Sequence, residues 1–388
     1  MAQLSKLLIL SAAYGEGHQQ AAYAVRDALS LQSPETEVVI VDFVRMVHPL
    51  LDSVARYCYL KSVQFAPLLW DWFYKGTSNL SPSSMIQKKL NSVGIHALER
   101  LLTESNPDVV LSTFPIPAGV VSFLKQLRRT QVPLATIITD HAIHSQWIHP
   151  LTTRYFVGSD HVRQGLIRRG TSRSNISVTG IPIRPAFDAA YDRKSLQEKY
   201  GLDKNLPTVL VMGGAYGIMG DINLICEELF NYPKPVQVIV VTGRNDRMKA
   251  QIDGLVANAK QTVKVYGFTQ DVHELMGVSD IVLTKAGGLT ISEALAMELP
   301  MLLYRPIPGQ EVQNADYLVS AGVAVLAETR PQVTDALRDL LVENPQKREK
   351  MRHMTRLIRR RNAAGKIAAE LMNMADAVEV QAQYSFPG

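Results

Sequence analysis

The sequence predicts an α/β protein: two doubly wound domains, each a Rossmann-like parallel sheet flanked by helices, facing a central cleft. Three observations carry that expectation. Short runs of Val, Ile and Leu alternate with helical periodicity through both halves of the 388 residues. The runs are apolar at every position rather than at alternate ones, as in parallel strands covered on both faces. The texture breaks once, near 180–207, where TGIPIRPAF is followed by the charged helix DRKSLQEKYGL and Pro207. Strand–helix–strand alternation on either side of that break implies right-handed crossovers and a separate sheet in each half.

In order, KLLILSA is the first strand, and HQQAAYAVRDAL the first helix, with Ala21, Ala22, Val25 and Leu29 on one side. EVVIVDF, DVVLSTF and PLATIITD continue the first sheet. After the linker, TVLVMGG opens a second series: VQVIVVTG, TVKVYGF, DIVLTKAGG, PMLLYRP and AVLAE. The last helix, ending in LIRRRNAAGKIAAELMNMADAV, is amphipathic and is expected to pack back on the first domain. The expected organisation is an N-terminal domain at 1–187, a C-terminal domain at 188–365 and a helical tail at 366–388. Ligands of open α/β sheets sit at the carboxyl ends of the strands, which places the chemistry between the domains.

Bulk properties narrow the class. No apolar run approaches the roughly 18–20 residues of a membrane-spanning helix. MAQLSKLLILSAAYG mimics a leader, but its apolar core is short and runs straight into helical periodicity, so it reads as a buried strand. Cys58 and Cys226 lie far apart and imply no disulfide framework, which suits a reduced, cytoplasmic compartment. Lys plus Arg outnumber Asp plus Glu by 18 to 12 over residues 1–187 but stand at 23 to 24 over 188–388. A nucleic acid, an anionic membrane surface, an anionic cosubstrate or a merely solvated surface each fits that surplus, as each fits the local basic run KREKMRHMTRLIRRR.

Four segments carry chemistry. AAYGEGHQQAA joins the first strand to the first helix by a glycine turn of the kind that often meets a phosphate, yet it holds Glu16 between glycines and His18 after them. TVLVMGGAYG ends a strand in Gly213 and Gly214, where small residues let amides approach a phosphate or simply allow a tight turn. SDIVLTKAGGLTISEALAMELPML is more specific: Gly287, Gly288 and Thr290 at a helix start suit a diphosphate, and Glu293 one turn on suits two ribose hydroxyls. Thr290 and Glu293 also form the Thr-x-x-Glu pattern of a capping box, and both roles can hold together. Downstream, RPIPGQEVQNADYL sets Gln310, Glu311 and Asn314 as a polar cluster for a hexose, and Arg184 stands between prolines at the hinge, where a guanidinium can bridge phosphates. ITDHAIHSQWIHP gathers Asp140, His141, His144, Trp147 and His149 past a strand end. The spacing matches no zinc motif and reads as a cleft-lining loop offering Asp140 or a histidine for proton transfer. No Asp-x-Asp pair occurs, so no metal-held diphosphate is expected, and neither glycine turn follows the dinucleotide fingerprint G-x-G-x-x-G.

GEGHQQAA, TGIPIRP, MGGAYG, KAGGLTISEA and PIPGQEVQNA, in that order, resemble the processive diacylglycerol β-glucosyltransferases of Gram-positive bacteria, from about residue 5 to about 370. That family is related to monogalactosyldiacylglycerol synthases and to the N-acetylglucosaminyltransferase that forms lipid II. The resemblance implies a GT-B fold, with the donor on the second domain and the acceptor on the first. It implies that Gly213, Gly214 and the Ala215 amide face the diphosphate with Arg184 and Thr290. Glu293 would hold the ribose, Gln310, Glu311 and Asn314 the hexose, and backbone near Phe268 the uracil. It puts Gly17 and His18 beside the acceptor and Asp140 toward the reacting sugar. Glu16 departs from the glycine or asparagine of many relatives.

The implied reaction is metal-independent transfer of glucose from UDP-glucose to diacylglycerol with inversion, making β-glucosyldiacylglycerols, the membrane glycolipids that anchor lipoteichoic acid. His18 or Asp140 is the base, and an imidazole at a helix N-terminus is expected to be held neutral by the dipole. Expected partners are a UDP-sugar, diacylglycerol and an anionic lipid surface, not nucleic acid. The aromatic stretch YCYLKSVQFAPLLWDWFYKG is either a docking surface on the cytoplasmic face of the membrane or ordinary core. Rival readings are galactosyl or N-acetylglucosaminyl transfer to a lipid, a UDP-N-acetylglucosamine 2-epimerase, and a UDP-sugar-sensing regulator.

Overall fold

The computed structural model describes residues 4–13, 16–48, 74–78, 87, 91–214 and 221–384. Ala215, Gly15, Cys58 and most of the aromatic stretch lie outside the described residues. The chain forms two compact units: Met1–Pro185 with Pro308–Gln310 and Arg360–Gly388, and Ala186–Ile307 with Glu311–Arg359.

The first unit is a six-stranded parallel sheet in the order β2-β1-β3-β4-β5-β6. Its strands are β1 (Lys6–Ser11), β2 (Glu37–Asp42), β3 (Val109–Ser112), β4 (Leu134–Ile137), β5 (Arg154–Val157) and β6 (Ile176–Val178). The first four coincide with the apolar runs. β5 and β6 carry too few apolar residues to stand out, at four and three residues. Helix α1 (Glu16–Gln32) buries Ala21, Ala22, Ala24, Val25, Ala28 and Leu29, the face its periodicity predicts. Against it packs the long C-terminal helix, Ala363–Tyr384, whose Ile367, Ala368 and Leu371 join Leu7, Ile9, Val25 and Leu29 in one core. The Gln32 amide donates to the Gly365 carbonyl at 3.0 Å. The chain re-enters this unit at Arg360, six residues ahead of a boundary after 365.

The second unit is also six-stranded and parallel, in the order β12-β11-β10-β7-β8-β9. Its strands are β7 (Thr208–Met212), β8 (Gln237–Val241), β9 (Thr262–Tyr266), β10 (Ile281–Thr284), β11 (Met301–Tyr304) and β12 (Ala324–Ala327). The order reverses between β7 and β10, so their adjacent carboxyl ends form the crevice where such sheets bind ligands. In the first unit the same reversal falls between β1 and β3.

The basic run near residue 350 is matched by acids. Lys347 pairs with Asp339 at 2.7 Å, Arg352 reaches Asp280 at 3.6 Å, and Arg356 and Arg359 share Glu298. Arg360 pairs with Asp160 at 2.7 Å. These five cations are spent on acids of the fold. No helix of the described residues is long and apolar enough to cross a membrane.

Candidate active site and donor crevice

In the first unit, β1 hands over to α1 at the reversal of strand order, and His18 is the third residue of that helix. Its imidazole is enclosed by the ends of neighbouring strands. Nδ1 lies 3.0 Å from Thr139 Oγ1, the Phe114 ring is edge-on at 5.1 Å, and Trp147 stands at 6.1 Å. Thr113, beside Phe114, is fully buried and donates its hydroxyl to Ser11 at 3.0 Å, which braces β1 against the end of β3. Loss of solvation pushes the His18 pKa down to about 4, and a hydrogen bond to the Thr113 backbone pulls the other way. The ring is therefore neutral near pH 7, and burial rather than the helix dipole is the principal cause.

Glu16 opens α1 and accepts from the Gln20 amide at 3.5 Å. A carboxylate in the first turn complements the helix dipole. The same charge disfavours a phosphate at that helix start. Gly17 is the second residue of the helix, and Asp140 is half-buried just past β4.

The histidines of 141–149 do not line an open loop. His141, His144 and His149 are buried at 2%, 8% and 3% exposure. His149 donates from Nε2 to the Pro115 carbonyl at 3.1 Å, and His144 from Nε2 to the Tyr74 carbonyl at 3.1 Å. Burial holds the His141 pKa down to about 3 and that of His149 to about 4. These are neutral packing groups, which corrects their reading as proton carriers. Among the described residues no three His, Cys, Asp or Glu side chains group as metal ligands.

The second unit builds a different crevice. β7 ends in Gly213 and Gly214, the latter at φ 73°, a conformation that favours glycine. β10 ends at Thr284, and helix α2 (Gly288–Ala296) begins four residues on with Gly287 as its N-cap and no side-chain cap. The Thr-x-x-Glu pattern is thus not a capping box: Thr290 is already the third helical residue. The first-turn amides of Gly288, Leu289 and Thr290 are left to an external acceptor, the arrangement that binds phosphate. Half-buried Glu293 follows one turn later.

Helix α3 (Gln310–Ser320) supports this turn. Asn314, fully buried, donates to the Ala286 carbonyl at 2.9 Å, so it braces the glycine loop. Glu311 accepts from the Ile307 amide at 2.9 Å and pairs with Lys285 at 3.2 Å. Gln310 Oε1 is enclosed without a hydrogen-bond partner among the described residues. At the ends of β8 and β9, the Arg244 guanidinium lies 4.7 Å over the Phe268 ring, which is 53% exposed. Arg184 is half-buried at the end of the first unit. Thr139, Phe114, Lys285 and Arg244 were not singled out in the sequence. Lys285 and Arg244 share a signal, a cation at a strand end beside glycine.

Comparison with known proteins fits both halves. Residues 18–183 match the family model for monogalactosyldiacylglycerol (MGDG) synthase, and 208–371 that for the glycosyltransferase family 28 C-terminal domain. A processive diacylglycerol β-glucosyltransferase from Bacillus pumilus (strain SAFR-032) is 31% identical over 380 residues, covering 98% of each chain. One from Bacillus cereus (strain 03BB102) is 34% identical over 367 residues, covering 95% of this chain and 93% of the relative. Among solved structures, Acinetobacter baumannii MurG superposes with a TM-score of 0.64 at 16% identity, over 95% of this chain and 99% of that one. UDP-GlcNAc 2-epimerase from Neisseria meningitidis, bound to UDP-GlcNAc, superposes with a TM-score of 0.58 at 18% identity, over 95% and 100%. These structural likenesses establish the two-domain GT-B architecture, which transferases and epimerases share.

Proposed function

We propose, from the premise that this chain belongs to the processive diacylglycerol β-glucosyltransferase family of glycosyltransferases, that it moves glucose from UDP-glucose to the hydroxyl of diacylglycerol with inversion at the anomeric carbon. The observation that carries the reading is a neutral, positioned imidazole at the strand-order reversal of the first sheet. It stands in a chain whose second sheet has an uncapped helix start between two glycine turns at its own reversal.

In this proposal the donor's diphosphate takes the first-turn amides of α2 and the Gly213–Gly214 turn, with Arg184 as a further contact. Glu293 takes the ribose hydroxyls, and the exposed Phe268 with Arg244 above it supports the uracil. Gln310 and Glu311 read the hexose, and Asn314 acts behind them by holding Ala286 in place. A proton on His18 Nδ1, shared with Thr139, leaves Nε2 to accept the proton of the lipid hydroxyl as its oxygen attacks C1. Asp140 is the second candidate for that role. No divalent ion takes part.

The acceptor lives in a bilayer, so the enzyme works as a peripheral protein at the cytoplasmic face, drawn to anionic lipid by the basic surplus of residues 1–187. The test is incubation with radiolabelled UDP-glucose or UDP-galactose and diacylglycerol vesicles. Label entering the organic phase from UDP-glucose, with a mass-spectrometric product of one or more hexoses on diacylglycerol, is the expected result. Donor binding without lipid-soluble product would leave a nucleotide-sugar sensor instead.

A further inference from the structure

The charge of the leaving diphosphate needs a cation, and the second unit holds one at the crevice. Lys285 immediately follows β10, and its side chain is 17% exposed. Its Cε lies 3.7 Å from where a Cβ on Gly214 would stand. Its ammonium is 3.2 Å from Glu311 Oε1, and that oxygen lies 3.8 Å from where a Cβ on Gly287 would stand. The ammonium therefore sits between the two glycine turns that flank the reversal of strand order. Glu311 is its sole hydrogen-bond partner among the described residues, although an ammonium carries three donors. The Glu311 carboxylate is committed on its other oxygen to the Ile307 amide. A pair this enclosed gains little net stability over an apolar pair of like volume, because desolvation offsets the attraction. Its placement, not its energy, is the informative feature.

We propose that Lys285 is the leaving-group cation of this enzyme, and that its pair with Glu311 is the resting arrangement of that cation. This rests on the nucleotide-sugar reading above. As the lipid oxygen forms its bond to C1, the bond from C1 to the β-phosphate oxygen breaks and its electron pair stays on that oxygen. The hydroxyl proton passes to the base on the first unit, and UDP departs with one more negative charge than it carried in the donor. Lys285 turns part of its hydrogen bonding from Glu311 to that oxygen, and the α2 amides take the rest. Glu311, relieved of the ammonium, is free to accept from a hexose hydroxyl.

The test is calorimetric titration of the full-length protein with UDP and, separately, with uridine. For Lys285→Gln, the expected result is a loss of about 10–100-fold in UDP affinity, with uridine affinity within about twofold of wild type. Lys285→Arg keeps most of the UDP affinity. Glu311→Gln retains an oxygen for the Ile307 amide and is expected to tighten UDP binding roughly threefold or more, because the competing carboxylate charge is gone. Unchanged UDP affinity in Lys285→Gln, or an equal loss for UDP and uridine, overturns the proposal. Weaker UDP binding in Glu311→Gln overturns the resting-pair part. Wild-type protein that binds neither probe sinks the nucleotide-sugar reading itself, which is a separate outcome.

Discussion

Lowering the pH from 7 to 5 should strip the first unit of much of its stability through its buried histidines, His141 and His149 among them. Both are nearly fully buried, and their folded pKa values, about 3 and about 4, lie below the ordinary 6.5. A histidine with a depressed folded pKa contributes stability above the unfolded value, and that contribution is lost as pH falls through 6.5 toward the folded value. At pH 5 the unfolded imidazole is almost wholly protonated and the folded one almost wholly neutral. The linkage integral then comes to ~2 kcal/mol per site, or ~4 kcal/mol for the two, relative to pH 7. Against a typical domain stability of ~5–15 kcal/mol, that is a large share. Trp147 is buried in a core cluster of the first unit, so the change in its fluorescence during a urea titration reports on that unit. His149→Gln keeps a donor for the Pro115 carbonyl but does not titrate, and should shrink the difference between pH 7 and pH 5 by its own ~2 kcal/mol. A urea midpoint that falls equally in wild type and His149→Gln would refute the reasoning.

Other consequences can be checked one by one. His18→Ala should lower turnover at saturating donor by ~10²–10⁴-fold with UDP affinity intact, while Asp140→Asn separates the two candidate bases. Near-wild-type rates in both variants sink the assignment. Because the His18 pKa is held near about 4, the acid limb of kcat/KM should fall there, and a limb at 6.5 would mean the imidazole is not desolvated in the working enzyme. Leu371→Ala, in the core beneath the C-terminal helix, should cost ~2–5 kcal/mol by urea titration, against almost nothing if that helix were loosely docked. Asn314→Ala leaves the Ala286 carbonyl without its donor and should lower thermal stability by ~1–3 kcal/mol while weakening UDP binding; an unchanged UDP affinity would show that the loop does not need the brace.

Much of the fold was legible because parallel strands buried on both faces leave unbroken apolar runs, such as EVVIVDF and VQVIVVTG. β5 and β6 escaped because RYFV and ISV are short and begin or alternate with polar residues, and only pairing, β5 on β4 and β6 on β5, makes them strands. The glycine turns were legible as turns, but their partners were not. TISE reads as a helix cap from four letters, yet the helix begins at Gly288, so Thr290 falls inside its first turn. Asn314 and Glu311 read alike as members of a polar cluster for a hexose, yet the first is fully buried behind Ala286 and the second is tied to Lys285 and Ile307.

By itself, the sequence determined two similar α/β halves, the glycine turns at their strand ends, and the family to which the chain belongs. Those features are local: a run of β-branched residues, a glycine where backbone must approach a ligand, a motif in order. Tertiary structure alone decided which polar residues are wet. His18, His141, His144 and His149 are alike as letters, but residues distant in sequence enclose each differently. His144 and His149 are spent on carbonyls at positions 74 and 115, while His18 faces Thr139 at the carboxyl edge of the sheet. The opening turn likewise resembled a phosphate loop until Glu16 proved to be the first residue of its helix. A carboxylate at that dipole end disfavours an anion there, whereas the helix start of the second sheet has no side-chain cap and Lys285 stands beside it.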